Sequence, residues 1–177
     1  NQTRQMLIRV IGPGLAAAPF NISGFLADPR LEVYDSAGRL LVQNDNWGTQ
    51  TANPTTNATA VTAIQQAATR TGAFALPNTS STDAAILATL APGNYTVQAK
   101  GPTNAASGIV LVEVYDASPS STATTPKPIN VSTRGQVGTG ANSLIAGFVI
   151  NGTVSRRVLV RGVGPTLANF GLGGAGL

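Results

Sequence analysis

The chain has 177 residues, of which 42% are hydrophobic but only 10% charged, with a net charge of +4 and neither Cys nor His. That length carries one domain, or one domain and part of another. The missing thiols and imidazoles exclude disulfide staples, thiolate metal sites and the Ser-His-Asp and Cys-His routes to nucleophilic catalysis.

A charged share far below the usual figure of about 25% leaves Thr, Ser, Asn, Gln and Gly to build the surface. Such a surface suits an extracellular protein in a repetitive assembly. The positive charge comes from 11 basic against 7 acidic residues, and Arg156-Arg157 is the one adjacent basic pair. A phosphate-binding face needs clustered cations, so no nucleic acid is expected as a partner. The longest apolar stretches, such as SLIAGFVI at 143–150, are strand length, and no membrane insertion is expected. No signal peptide is visible, so a secreted chain would have lost its export signal or carry it elsewhere.

In chain order, short apolar runs broken by Gly, Pro, Asn and Asp predict strands at 6–11, 31–34, 40–43, 85–90, 95–99, 109–115, 129–132, 144–150 and 158–163. In YTVQA, residues Tyr95, Val97 and Ala99 share one face of a period-two strand. IVLV at 109–112 is apolar throughout, which fits a strand covered on both sides. Asp35-Ser-Ala-Gly38 and Ala91-Pro-Gly-Asn94 have β-turn chemistry. Residues 58–71 place Val61, Ile64 and Ala68 at helical spacing, which reads as a short helix or, alternatively, a Thr/Ala-rich loop. The expected fold is all-β, a β-sandwich or jelly-roll-like body of about nine or ten short strands with at most one short helix. Three prolines mark 118–128 as a linker between a body, 1–117, and a β tail, 129–177, that packs on the body or on a neighbouring subunit.

The end of the chain repeats its beginning. Residues 4–16 read RQMLIRVIGPGLA and residues 156–168 read RRVLVRGVGPTLA, identical at seven of thirteen positions. The likeness extends more weakly through 4–26 and 156–177. A single domain has little use for two copies of one strand-and-turn, whereas a unit of an array does. A shorter echo joins EVYD at 32–35 to EVYD at 113–116. It fits two symmetry-related strands, or plain β-propensity followed by a turn Asp.

LEVYDSAG at 31–38, NDNW at 44–47, DAAI at 83–86 and LAPGNYTV at 90–97 resemble the bacterial pre-peptidase C-terminal type of domain. The order IRVIGPGLA, LADPRLEVYDSAGRLL, NDNW, PGNYTVQ, VEVYD, NVSTRGQVGTG and RRVLVRGVGPTLA is similar to modules repeated in tandem in large secreted bacterial proteins. The resemblance spans nearly the whole chain outside about 50–75 and the linker. It implies a β-sandwich, with calcium bound in some members, and carries fold more safely than activity.

Calcium takes six to eight oxygen ligands. Asp35, Asn44, Asp45, Asn46 and Asp83 supply such oxygens, and by resemblance they would converge at one sandwich end; against this, Asp and Asn are the normal residues of turns and caps. Gly12-Pro-Gly14, GQVGTG at 135–140 and GVGP at 162–165 lack the GK[ST] of a phosphate loop and read as tight turns. A glycosidase-like carboxylate pair would have to come from Asp28, Glu32, Asp35, Asp45 or Glu113, and strand-and-turn context already accounts for Glu32 and Asp35. No enzyme is expected. Trp47, in a polar loop, is either a core cap or a platform for a glycan. Seven Asn-x-Ser/Thr sequons begin at Asn1, Asn21, Asn57, Asn78, Asn94, Asn130 and Asn151, open to glycosylation or to simple turn use.

The resulting expectation is an extracellular or cell-surface structural subunit, assembling head-to-tail with copies of itself into a filament. Its assembly residues would be Met6, Leu7, Ile8, Val10 and Ile11 in the first copy, and Val158, Leu159, Val160, Val163 and Leu167 in the second. The other class is a calcium-dependent carbohydrate-binding or adhesion module, taking surface glycans as partners, from a larger tandem-repeat protein.

Overall fold

The computed structural model describes residues 2–50, 61–120, 122, 125–135, 137–138, 140, 143–150, 153 and 155–170. The chain divides into two compact units, Asn1–Pro128 and Ile129–Leu177.

The first unit is all-β with one helix. Its strands are β1 (Arg4–Ile11), β2 (Arg30–Tyr34), β3 (Leu40–Asn44), β4 (Ala84–Leu90), β5 (Thr96–Lys100) and β6 (Leu111–Asp116), and helix α1 (Val61–Thr71) falls between β3 and β4. Two antiparallel three-stranded sheets form, ordered β4-β1-β6 and β3-β2-β5. Among the described residues there are six strands, not nine or ten. The three missing ones, 129–132, 144–150 and 158–163, all belong to the second unit, where no ladder forms among the described residues. Apolar pattern makes a segment suitable for a sheet; only a neighbouring strand makes it one.

In the first sheet β1 and β4 are covered on both faces, which explains their apolar runs, whereas 109–112, expected to be covered on both sides, leaves Ile109 and Val112 44% and 45% exposed. Ile8, Val10, Ala84, Ile86 and Ala88 pack against Leu31, Val33 and Val42 of the second sheet. From the opposite face, Leu7, Ala85 and Leu87 meet Trp47 and the helix residues Ile64, Ala67 and Ala68. Helix α1 therefore buries Ile64, Ala67 and Ala68 at the spacing of one face. It ends at Gly72, whose φ of +74° permits the left-handed residue that lets Ala73 N–H reach the Ala68 carbonyl at 3.0 Å.

The β2–β3 turn follows from Asp35 and Gly38. Asp35 Oδ1 accepts the Ala37 and Arg39 amides at 2.9 and 3.0 Å, and Gly38 takes φ +76°. Beyond β1 the chain turns through a short 3-10 segment, Pro13–Ala16. Gly12 has no alternative there, because a Cβ on it would stand 2.0 Å from the Leu26 carbonyl oxygen.

Candidate functional site

The duplicated segment has two fates. In the first copy, β1 is the central strand of its sheet, hydrogen-bonded to β4 on one side and β6 on the other. Leu7, Ile8, Val10 and Ile11 are at most 2% exposed, and Met6 packs partly buried against the inter-sheet core. Leu7, Ile8, Val10 and Ile11 hold their own body together and offer no free surface.

In the second copy the local chemistry repeats. Leu167 N–H reaches the Gly164 carbonyl at 2.9 Å, as Leu15 N–H reaches Gly12 at 3.0 Å, and a 3-10 helix runs Pro165–Phe170. The same Gly-Pro-x-Leu-Ala run closes the same turn twice. The apolar residues before it are exposed: Val158 by 47%, Leu159 by 83%, Val160 by 75% and Val163 by 45%.

What the first copy requires of its surroundings is equally visible. Arg9, fully buried, points to the helix side of its sheet. Its guanidinium pairs with Glu113 of β6, donates to the Phe74 carbonyl and stacks 4.3 Å from the Phe74 ring centre. Asp83 is also fully buried, and its Oδ1 accepts the Gly12 and Gly14 amides at 2.8 and 3.1 Å while Oδ2 takes the Ser81 hydroxyl at 2.6 Å. The carboxylate thus fastens the turn after β1. Arg161 and Gly164 occupy the matching positions in the second copy. The sequence reading passed over Arg9 and Arg161, although a lone Arg inside an apolar run at the same place in both copies was the available signal.

The five oxygen-bearing residues do not share one end of the sandwich. Because Tyr34 pairs with Leu40 and Leu31 with Asn44, Asp35 lies at one end of the β2–β3 hairpin and Asn44 at the other. Four residues of strand, roughly 13 Å at about 3.3 Å each, separate them. Asn44, Asn46 and Asp83 do sit at one end, but the side-chain oxygens of Asn44 and Asp83 already accept hydrogen bonds. Asn44 Oδ1 accepts the Ala85 amide at 3.1 Å, and its Nδ2 donates to the Asn46 and Thr49 carbonyls. Asp45 is exposed, and Asp35 is bonded to Arg39. Among the described residues, no three Asp, Glu, His or Cys gather into a metal-sized cluster.

Trp47 is 2% exposed, its indole N–H donating to the Asn78 carbonyl at 2.9 Å. A buried, internally bonded indole presents no face to a sugar; it plugs the core between α1 and β4. Four sequon asparagines, Asn21, Asn78, Asn94 and Asn130, are exposed, while Asn1, Asn57 and Asn151 lie outside the described residues.

The EVYD echo is real at the level of side chains. Tyr34 bonds to Glu32 and Tyr115 to Glu113, two residues back on the same strand face, and a cation from the adjoining strand joins each pair: Lys100 at Glu32 and Arg9 at Glu113. The strands themselves are not equivalent, since β2 is central in its sheet and β6 is an edge. Burial presses the Glu32 pKa upward, but Lys100, Tyr34 and Arg30 outweigh it and hold the carboxyl below its ordinary range. Burial, then the Glu113 carboxylate, pushes the Tyr115 phenol up to about 12.

No family model, curated protein or solved structure matches the chain.

Proposed function

We infer that this chain is an extracellular structural subunit that joins copies of itself head-to-tail, with its carboxy-terminal unit as the donor. One observation carries this: residues 156–168 rebuild the strand-end turn of 4–16 while exposing the side chains that 4–16 buries. Exposed Leu159 and Val160 lose roughly 1.5–3 kcal/mol each of available burial when left in water, a standing drive toward a partner. Few charges oppose close stacking of copies, and a non-closing contact between unlike surfaces generates a fibre.

A second reading has its own support. Both edges of β1 are filled within the body, so a complete β1 position stands ready for 156–168 only in another module. In that reading the segment opens the next repeat of a tandem polypeptide, of the kind found in secreted adhesins.

Negative-stain electron microscopy and sedimentation of residues 1–177 beside residues 1–128 separate the two. Filaments from the longer chain, and folded monomers from the shorter, establish self-assembly. Monomers from both at high concentration leave the tandem-repeat reading in place.

A further inference from the structure

The four sheet edges of the first unit are unequal. At β4, the Ala85 amide donates to Asn44 Oδ1 and the Ala85 carbonyl accepts the Gln50 amide at 3.2 Å, so side chains occupy that rim at Ala85. β5 alternates polar and apolar residues, as a solvent-facing edge does, and β3 is short, running from Leu40-Leu41-Val42 into the polar Gln43 and Asn44. β6 differs. Its first neighbours are tied, since the Ile109 amide and carbonyl bond to Gly24 and Leu26, but from Leu111 onward it pairs with β1 alone among the described residues.

The inner face of β6 is also uncovered. Val112 and Val114 lie opposite Val10 and Ile8, which are at most 2% exposed, yet they are themselves 45% and 49% exposed. The second sheet packs over β4 and β1 and stops short of them. An unpaired ladder edge beside an apolar face is the surface that strand addition satisfies.

We propose that β6 is the acceptor, and that its occupant is the strand formed by residues 144–150 of a second copy of this chain. This deepens the assembly reading and rests on it. In LIAGFVI both strand faces are apolar, so either face can lie beside the exposed Val112 and Val114. Ile145, Phe148 and Val149 are 87%, 61% and 93% exposed. No charge occurs from Gly135 to Ser155. A second exposed apolar run, 158–163, carries Arg161 at its centre, and the adjacent β6 carboxylate, Glu113, is already bonded to Arg9. A second guanidinium would arrive there without a counter-charge. A third run, 129–132, offers only Ile129 and Val131. Residues 144–150 also share their compact unit with 156–168, whose sequence repeats that of β1 and its turn.

The test uses two full-length variants altered only at exposed positions: an acceptor-blocked V112K/V114K and a donor-blocked I145D/V149D. Circular dichroism and melting establish that both remain folded. Sedimentation should then show filaments for the wild type, monomers for each variant alone, and a discrete dimer when the two are mixed, because each retains one working half. Wild-type filaments with V112K/V114K polymerising equally well would overturn the β6 assignment and leave self-assembly standing. A monomeric wild type removes the assembly reading itself. A monomeric wild type whose melting temperature drops in both variants points to closure within one chain, which also overturns the proposal.

Discussion

Arg9 and Glu113 meet across the β1–β6 ladder as a directly opposed pair, the Arg9 Nε lying 2.9 Å from the Glu113 carboxylate. Arg9 is wholly buried and the Glu113 side chain only 15% exposed. Such a pair is weak support while intact but costly to break, because the survivor is left as an unmatched charge. Arg9→Leu should therefore destabilise the body by about 3–5 kcal/mol, and R9L/E113L should recover much of that loss. Chemical denaturation of both variants and E113L alone completes the cycle; additive losses would show that the two residues are not coupled.

Asp83→Ala leaves the Gly12 and Gly14 amides and the Ser81 hydroxyl without their acceptor. Each buried unsatisfied group costs about 1–3 kcal/mol, so a loss of several kcal/mol is expected. Protection of the Gly12 and Gly14 amides from hydrogen exchange should collapse with it. Undiminished protection would mean that the turn after β1 stands without the carboxylate.

The pH profile should be a broad plateau with two shoulders. With no His or Cys, the chain has no side chain whose ordinary pKa falls between about 5 and 8. Glu32 is held below its ordinary 4.5. At Asp116 burial pushes the carboxyl upward, but Arg4 and the Ser118 amide more than offset it and set it below 3.8. Depressed carboxyls contribute stability above their unfolded values and lose it as pH falls through the folded ones, so the acid shoulder begins near pH 4.5. Tyr115, raised from 10.0 to about 12, acts oppositely. Its contribution is complete below pH 10 and disappears as pH climbs through 12. Thermal melts from pH 3 to 12 test this, and a sharp transition near neutrality would contradict it.

Trp47→Ala removes a core plug. About 3–5 kcal/mol of stability should go with it, whereas Trp47→Phe should keep the fold at a smaller cost. If W47A melts like the wild type while losing retention on a glycan column, the indole would be acting at the surface despite its burial.

The first unit was legible because its signals are local and mutually consistent. Continuous apolar runs gave β1 and β4, alternation gave β5, Asp35 and Gly38 gave the hairpin turn, and Ile64 with Ala68 gave the helix face. The second unit was not legible in this way, because 144–150 and 158–163 satisfy the pattern of a strand but pair with no strand among the described residues. At Trp47 the polar neighbours Asn44, Asp45 and Asn46 left a core cap and a glycan platform both open, and the loop turns the indole inward onto α1 as a core cap. Spacing alone could not place Asp35 and Asn44 at opposite hairpin ends, since that follows from register. Nor could it foretell that Arg9 is a core residue, because its counter-charge comes from 104 residues away.

The contrast between the rim of β4, tied at Ala85 by Asn44 and Gln50, and the rim of β6, bare from Leu111 onward among the described residues, makes the sheet directional. An array extended only at the bare rim has two chemically distinct tips, and subunits would dock at them at different speeds. Trace amounts of subunit lacking the donor strand would then poison one tip and spare the other. Length would be set by the ratio of intact to truncated chains, without any separate terminator protein.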